Sequence, residues 1–214
     1  MTEAMHIVLL GDSIFDNASY TRGGPAVISQ LEQLLPQGGR ASLLARDGSS
    51  TDEVASQLRR VPSDATHLVL SVGGNDALEN LSVLDTPAHS TAQALGTLAG
   101  MSRGFEGEYR RAVAACQRLG LPLTLCTIYN GCFEDPGFQR IASTALMLFN
   151  DVILRVAIES RLSVIDLRFV CSSPEDYANP IEPSSAGGAK IARAIVTLVG
   201  ARQPENTAAR IVVD

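Results

Sequence analysis

Five short apolar runs constrain this chain more than any other feature: residues 6–10, 41–45, 67–72, 121–128 and 162–167. Each is rich in Val, Ile and Leu, nearly uniform in polarity, and bounded by Gly, Pro or Asp. A strand with one wet face alternates in polarity, whereas a continuous apolar run of this length fits a strand covered on both faces. Between the runs lie helical patterns, at residues 25–35, 51–60, 91–119, 138–160 and 185–199. The fourth shows its period most clearly. Ile141, Ala145, Leu148, Phe149, Val152, Val156 and Ala157 recur at spacings of three and four and read as a packing stripe. Ser50, followed by Asp52 and Glu53, supplies an N-cap and early acids, and Gly187-Gly188 lets the last helix start close against the sheet.

Strand and helix alternate throughout, so the expected fold class is α/β: a doubly wound, mainly parallel five-stranded sheet with right-handed crossovers and helices on both faces, a flavodoxin-like three-layer arrangement. With 214 residues, no internal repeat and no linker, the chain reads as one domain, 1–214. The tail from residue 201 is polar until Ile211-Val212-Val213 and is expected to be loosely attached.

Net charge is -6 and no basic cluster occurs, which argues against a nucleic-acid partner. The start, MTEAMHIVLL, has no positive region and too short an apolar run for a signal peptide or a membrane span. A cytoplasmic protein without a membrane partner is the expectation. The four cysteines, Cys116, Cys126, Cys132 and Cys171, lack CxxC spacing and read as thiols in a reducing compartment, with neither metal nor cofactor implied. A functional Cys132–Cys171 pair is the minor alternative. Nothing in the sequence sets the oligomeric state.

In a doubly wound sheet, ligands bind beyond the carboxyl ends of the strands. Four segments therefore share one edge: GDSIFDN after the first strand, RDGSST after the second, VGGND after the third, and the long loop 168–183 after the fifth. A strand ending in a tight turn that carries a hydroxyl, as at Gly11-Asp12-Ser13, is one way to expose a nucleophile. Taken alone, GDS and GGND are common turn chemistry. Asp12 and Asp76 read as turn braces.

Taken in order, a strand ending in GDS, one ending near Gly48 and one ending in GGND resemble the first three blocks of the SGNH, or GDSL, hydrolase superfamily, and PSSAGGAKIARAI resembles its final helix start. The resemblance covers nearly the whole chain. It implies Ser13 as nucleophile, with the Ser13 and Gly48 N–H groups and the Asn75 side-chain amide forming an oxyanion hole. Members of that superfamily carry Asp-x-x-His-Pro before the last helix; here the matching residues are Asn179 and Glu182, within Asn179-Pro180-Ile181-Glu182-Pro183.

His6 and His67 begin their strands, on the order of 15–20 Å from the active edge at about 3.3 Å per residue. His89 lies in a loop on that edge, where it remains a candidate. Glu182 becomes the base by position, although a carboxylate near pKa 4.3 needs burial to serve at neutral pH. The competing role for Glu182 is an ion pair with Arg46, Arg168 or Lys190 that holds the loop. Asn179, Asp176 and His89 are the supporting residues to test, with Tyr177 in the same loop.

The resemblance implies a serine hydrolase acting on a small ester, such as a carboxylic ester or an acetylated metabolite. The alternatives are a catalytically weak or inactive binding protein of the same fold, and a hydrolase in which Glu182 activates water.

Overall fold

The computed structural model describes residues 5–200 and the pair Ile211–Val212. The core is a parallel sheet of β1 (His6–Gly11), β2 (Arg40–Leu43), β3 (His67–Ser71), β4 (Leu123–Cys126) and β5 (Ser163–Ile165), in the order β2-β1-β3-β4-β5. These are the five expected strands. Ile211–Val212 pairs in parallel with β5 and adds a sixth strand at the edge; the rest of the tail, 201–210 and 213–214, lies outside the described residues.

Successive side chains of a strand point to opposite faces, and β1 distributes its residues accordingly. Ile7 and Leu9 pack with Val27, Leu31, Ile191 and Ile195, carried by α1 (Val27–Leu34) and the C-terminal helix Ser185–Gly200. Val8 and Leu10 pack on the other face with Val54 of α2 (Val54–Leu58) and with side chains of the two long helices, among them Phe105, Tyr109, Phe149 and Val156. Both faces of the strand are therefore buried, which is why the run shows no alternation.

The remaining helices are α3 (Gly74–Glu79), α4 (Thr91–Gln117), α5 (Pro136–Ser160) and α6 (Leu167–Val170), so the C-terminal one is α7. Of these, α3 and α6 go beyond the sequence expectation: GGND opens a helix rather than forming a simple turn. A two-stranded antiparallel hairpin, β6 (Tyr177–Asn179) with β7 (Glu182–Pro183), occupies the loop between α6 and α7. Gly187 starts α7 tightly, because a Cβ there would lie 2.2 Å from the Asp176 carbonyl oxygen.

The packing stripe on α5 divides. Phe149, Val152, Val156 and Ala157 are buried in the core, whereas Ile141 is 52% exposed and Ala145 faces a cavity. The first turns of α5 are released from packing and form a wall.

Candidate active site

Ser13 sits in the turn that closes β1. Gly11, at φ +120°, has no room for a side chain: a Cβ would meet the Ser71 carbonyl oxygen at 1.7 Å. The strand end is fixed by Gln57 of α2, buried, whose side-chain oxygen accepts from the Gly11 N–H and whose Nε2 donates to the Gly11 carbonyl, both at 2.8 Å. The Asp12 N–H donates to the Ser71 carbonyl at 3.1 Å, and Asp12 Oδ1 accepts from the Ile14 N–H at 3.1 Å. Asp12 thus braces the turn, as expected.

The hairpin brings Glu182 against this turn. Ser13 Oγ donates to Glu182 Oε1 at 3.1 Å, and the two residues are 8% and 7% exposed. Glu182 Oε2 is buried without a hydrogen-bond partner. Burial pushes the Glu182 carboxyl up to about 7; the Ser13 hydroxyl opposes that rise, and the charge of Asp47 adds to it. Burial likewise raises Asp12 to about 8, with the Ile14 N–H opposing and Glu182 and Asp76 reinforcing.

Among the described residues, no cation pairs with Glu182. Lys190 pairs with Asp176 at 2.9 Å, and Arg168 pairs with Asp166 at 2.5 Å. Arg46 is exposed and makes no ion pair among the described residues. The loop-holding salt bridge expected as the rival role of Glu182 is replaced by the Asp176–Lys190 pair, in which Asp176 Oδ2 also accepts from the Ser172 and Ser173 N–H groups at 3.0 Å. Asp176 accordingly anchors the hairpin, and no hydrogen bond joins it to the Glu182 carboxyl among the described residues.

Asn179 makes no hydrogen bond to the Glu182 carboxyl among the described residues either. Its Oδ1 accepts from the Ile181 N–H at 2.9 Å and the Glu182 N–H at 3.0 Å, fixing the turn that presents the glutamate. Three further groups hold this turn. Tyr129, buried, donates its hydroxyl to the Ile181 carbonyl at 2.6 Å; the Cys132 N–H donates to Pro180 O at 2.8 Å; and Asn17 Nδ2 donates to Pro183 O at 3.3 Å. Sequence reasoning missed Gln57, Asn17 and Tyr129. All three act on backbone groups distant in sequence, so no local pattern marks them.

Asn75 lies in the first turn of α3 and lines the same cavity as Ser13 and Glu182. One of its amide hydrogens goes to the Ser49 carbonyl at 2.8 Å, leaving the other without a partner among the described residues. Asp76 is buried and braces this corner, accepting from Thr51 Oγ1 at 2.5 Å and from the Thr51 N–H at 3.1 Å. Gly48 occupies the adjoining exposed turn at φ +79°, one residue before Ser49. It borders the site without lining the cavity. Among the described residues, neither the Ser13 nor the Gly48 N–H has a hydrogen-bond acceptor.

His89 is not brought to the site. It is exposed, its backbone N–H is engaged by Gln93 just before α4, and it does not line the cavity. His6 and His67 lie at the far strand ends, bonded to Ser42 and Thr66. Among the described residues, no cluster of His, Cys, Asp and Glu is arranged to hold a metal ion.

Comparison with known proteins agrees with this architecture. The family model described as the GDSL-like lipase/acylhydrolase family matches residues 9–190. Among solved structures, the chain is similar to a member of the lipolytic G-D-S-L family from Veillonella parvula, with a TM-score of 0.67 and 16% identity over 93% of this chain and 100% of that one. It is also similar to an extracellular lipase from Streptomyces rimosus, with a TM-score of 0.65 and 16% identity over 94% of this chain and 100% of that one. An acetylxylan esterase from Geobacillus stearothermophilus gives a TM-score of 0.60 and 18% identity over 94% of this chain and 98% of that one. No curated protein matches the chain.

Proposed function

The chain belongs to the GDSL-like lipase/acylhydrolase family, and on that footing we propose that it is a serine esterase that cleaves a small ester through an acyl intermediate on Ser13, with Glu182 as the base. The observation that carries this reading is the 3.1 Å hydrogen bond from Ser13 Oγ to a buried carboxylate that no cation pairs with among the described residues.

In the first step the Ser13 Oγ–H proton passes to Glu182 Oε1 while Oγ bonds to the ester carbonyl carbon. The carbonyl π pair moves onto oxygen. That oxygen is held by the Ser13 N–H group and the second Asn75 amide hydrogen, both at the cavity, whereas the Gly48 N–H expected to join them lies in the exposed turn at its border. When the intermediate collapses, the C–O bond to the alcohol breaks and Glu182 returns its proton to the leaving oxygen. Water then repeats the sequence on the acyl-serine, with Glu182 again the base.

A glutamate base differs from a histidine in its charge flow. The negative charge moves from Glu182 to the oxyanion, and no ion pair is created. A partner acid to hold an imidazolium is therefore unnecessary, which fits Asn179 serving the backbone instead. The carboxyl at about 7 is matched to proton transfer near neutral pH.

The test is labelling by a fluorophosphonate together with hydrolysis of p-nitrophenyl esters. Wild type is labelled at Ser13 and turns over, and Ser13→Ala does neither. Retained turnover in Ser13→Ala overturns the acyl-serine route.

A further inference from the structure

The cavity beside Ser13 is large and mainly apolar. It measures about 240 Å³, with Ser13, Asn75 and Glu182 at its polar end. The lining is otherwise mainly apolar, with Leu84, Met101, Phe138 and Phe149, though Asn80 and Asn130 also face the cavity. Aromatic contacts fix two of these: Phe138 stacks edge-on against Phe133 at 4.9 Å, and Phe149 packs on Phe105 at 4.8 Å. Between Phe138 and Phe149 on α5, Ala142, Ala145 and Leu146 line the cavity, and the two alanines are its small positions. Their spacing from the flanking rings, four, three and four residues, puts all of them on one helical stripe. Leu78 and Leu81 also line the cavity yet stay 40% and 43% exposed, so the chamber opens to solvent between them.

A deep apolar wall has no partners for water and gains from a hydrocarbon occupant. At about 30 Å³ per water-sized group, the volume admits on the order of eight methylene-sized groups. An acetyl group fills only a fraction of that space. We propose that the cavity binds an aliphatic chain carried by the ester, and that Ala142 and Ala145 determine specificity by setting the length of chain admitted. The inference rests on the esterase reading given above. A larger side chain at either alanine would enter the chamber between the two fixed rings and shorten it.

The chain can belong to the acid or to the alcohol, and two substrate series separate the sources: p-nitrophenyl esters from acetyl to decanoyl, and alkyl acetates from ethyl to decyl. In wild type, kcat/KM rises by up to about fourfold per methylene in one series until the cavity is full. Ala145→Phe and Ala142→Leu lower the octyl-to-ethyl or octanoyl-to-acetyl ratio of that series at least tenfold. Ala145 is only part-buried, so its variant tests the idea even where Ala142→Leu misfolds. Flat profiles in both series, or an unchanged ratio in a folded Ala145→Phe protein, overturn the proposal. A parallel arm needs no chemistry: 1-octanol raises the melting temperature of Ser13→Ala more than ethanol does, and Ala145→Phe abolishes the difference. An octanol effect that Ala145→Phe removes, in a protein inert toward every ester, refutes the esterase reading and keeps the cavity. Turnover without chain-length preference does the reverse.

Discussion

Replacing Glu182 by glutamine should make the protein more stable at alkaline pH while removing its base. The buried carboxyl titrates at about 7 instead of its ordinary 4.5, because burial penalises the charged form. The folded state therefore holds a proton that the unfolded chain has already released. A group raised in this way contributes fully below the unfolded value, and its contribution is lost as pH climbs through the folded one. Between pH 4 and pH 8 the loss is about 3 kcal/mol, at roughly 1.4 kcal/mol per tenfold. Glutamine keeps the carbonyl that accepts from Ser13 and cannot ionise. At pH 4 the two proteins compare neutral with neutral, since glutamine and protonated glutamate both place an unsatisfied donor where Oε2 is buried. At pH 8 the variant gains about 3 kcal/mol relative to its standing at pH 4, which for a chain of this size is about 6–12 °C in melting temperature. Urea unfolding or calorimetry at the two pH values measures it. A difference between variant and wild type that stays constant from pH 4 to pH 8 would show that Glu182 titrates normally, and would refute the reasoning.

Other perturbations probe separate parts of the site. Asn75→Ala should lower kcat by about 10²- to 10³-fold with little change in KM, as expected for a donor used mainly in the transition state; steady-state kinetics on a p-nitrophenyl ester checks this. Lys190→Met strands the buried Asp176 carboxylate and should cost about 3–5 kcal/mol, read by denaturant unfolding. Gly11→Ala should fail to give soluble folded protein, because the added Cβ would overlap the Ser71 carbonyl; circular dichroism and yield decide it. His89→Ala should leave both kcat/KM and stability unchanged, since the side chain is exposed and lies off the cavity.

The sheet was legible because parallel strands buried on both faces leave uniform apolar runs, and those runs located all five expected strands to within a few residues. The rule that ligands collect beyond carboxyl strand ends then placed Ser13, Asn75 and Glu182 around one cavity. Other features were less visible, for identifiable reasons. Gln57, on a short helix, looks like any surface glutamine until β1 ends beside it and its amide finds both backbone groups of Gly11. The β6–β7 hairpin is too short to show alternation, and its geometry comes from Asn179, Tyr129 and Asn17 reaching its backbone. The α5 stripe has a helical period throughout, but periodicity alone does not distinguish a side chain that meets a neighbour from one that lines a cavity, as Ala142 and Ala145 do beside residues of α3 and α4. His89 was admitted by its place in the chain and removed by its exposure.

Catalysis by Ser13 depends most on Glu182 drawing its proton. Its direct measurement is the rate of Ser13 labelling by a fluorophosphonate as a function of pH, in wild type and in Glu182→Gln. The prediction is a wild-type rate that rises tenfold per pH unit below about 7 and then levels, as the carboxyl at that position loses its proton. The glutamine variant should be flat and slower by about 10²- to 10⁴-fold on the wild-type plateau. Equal labelling rates and parallel pH profiles in the two proteins would contradict it.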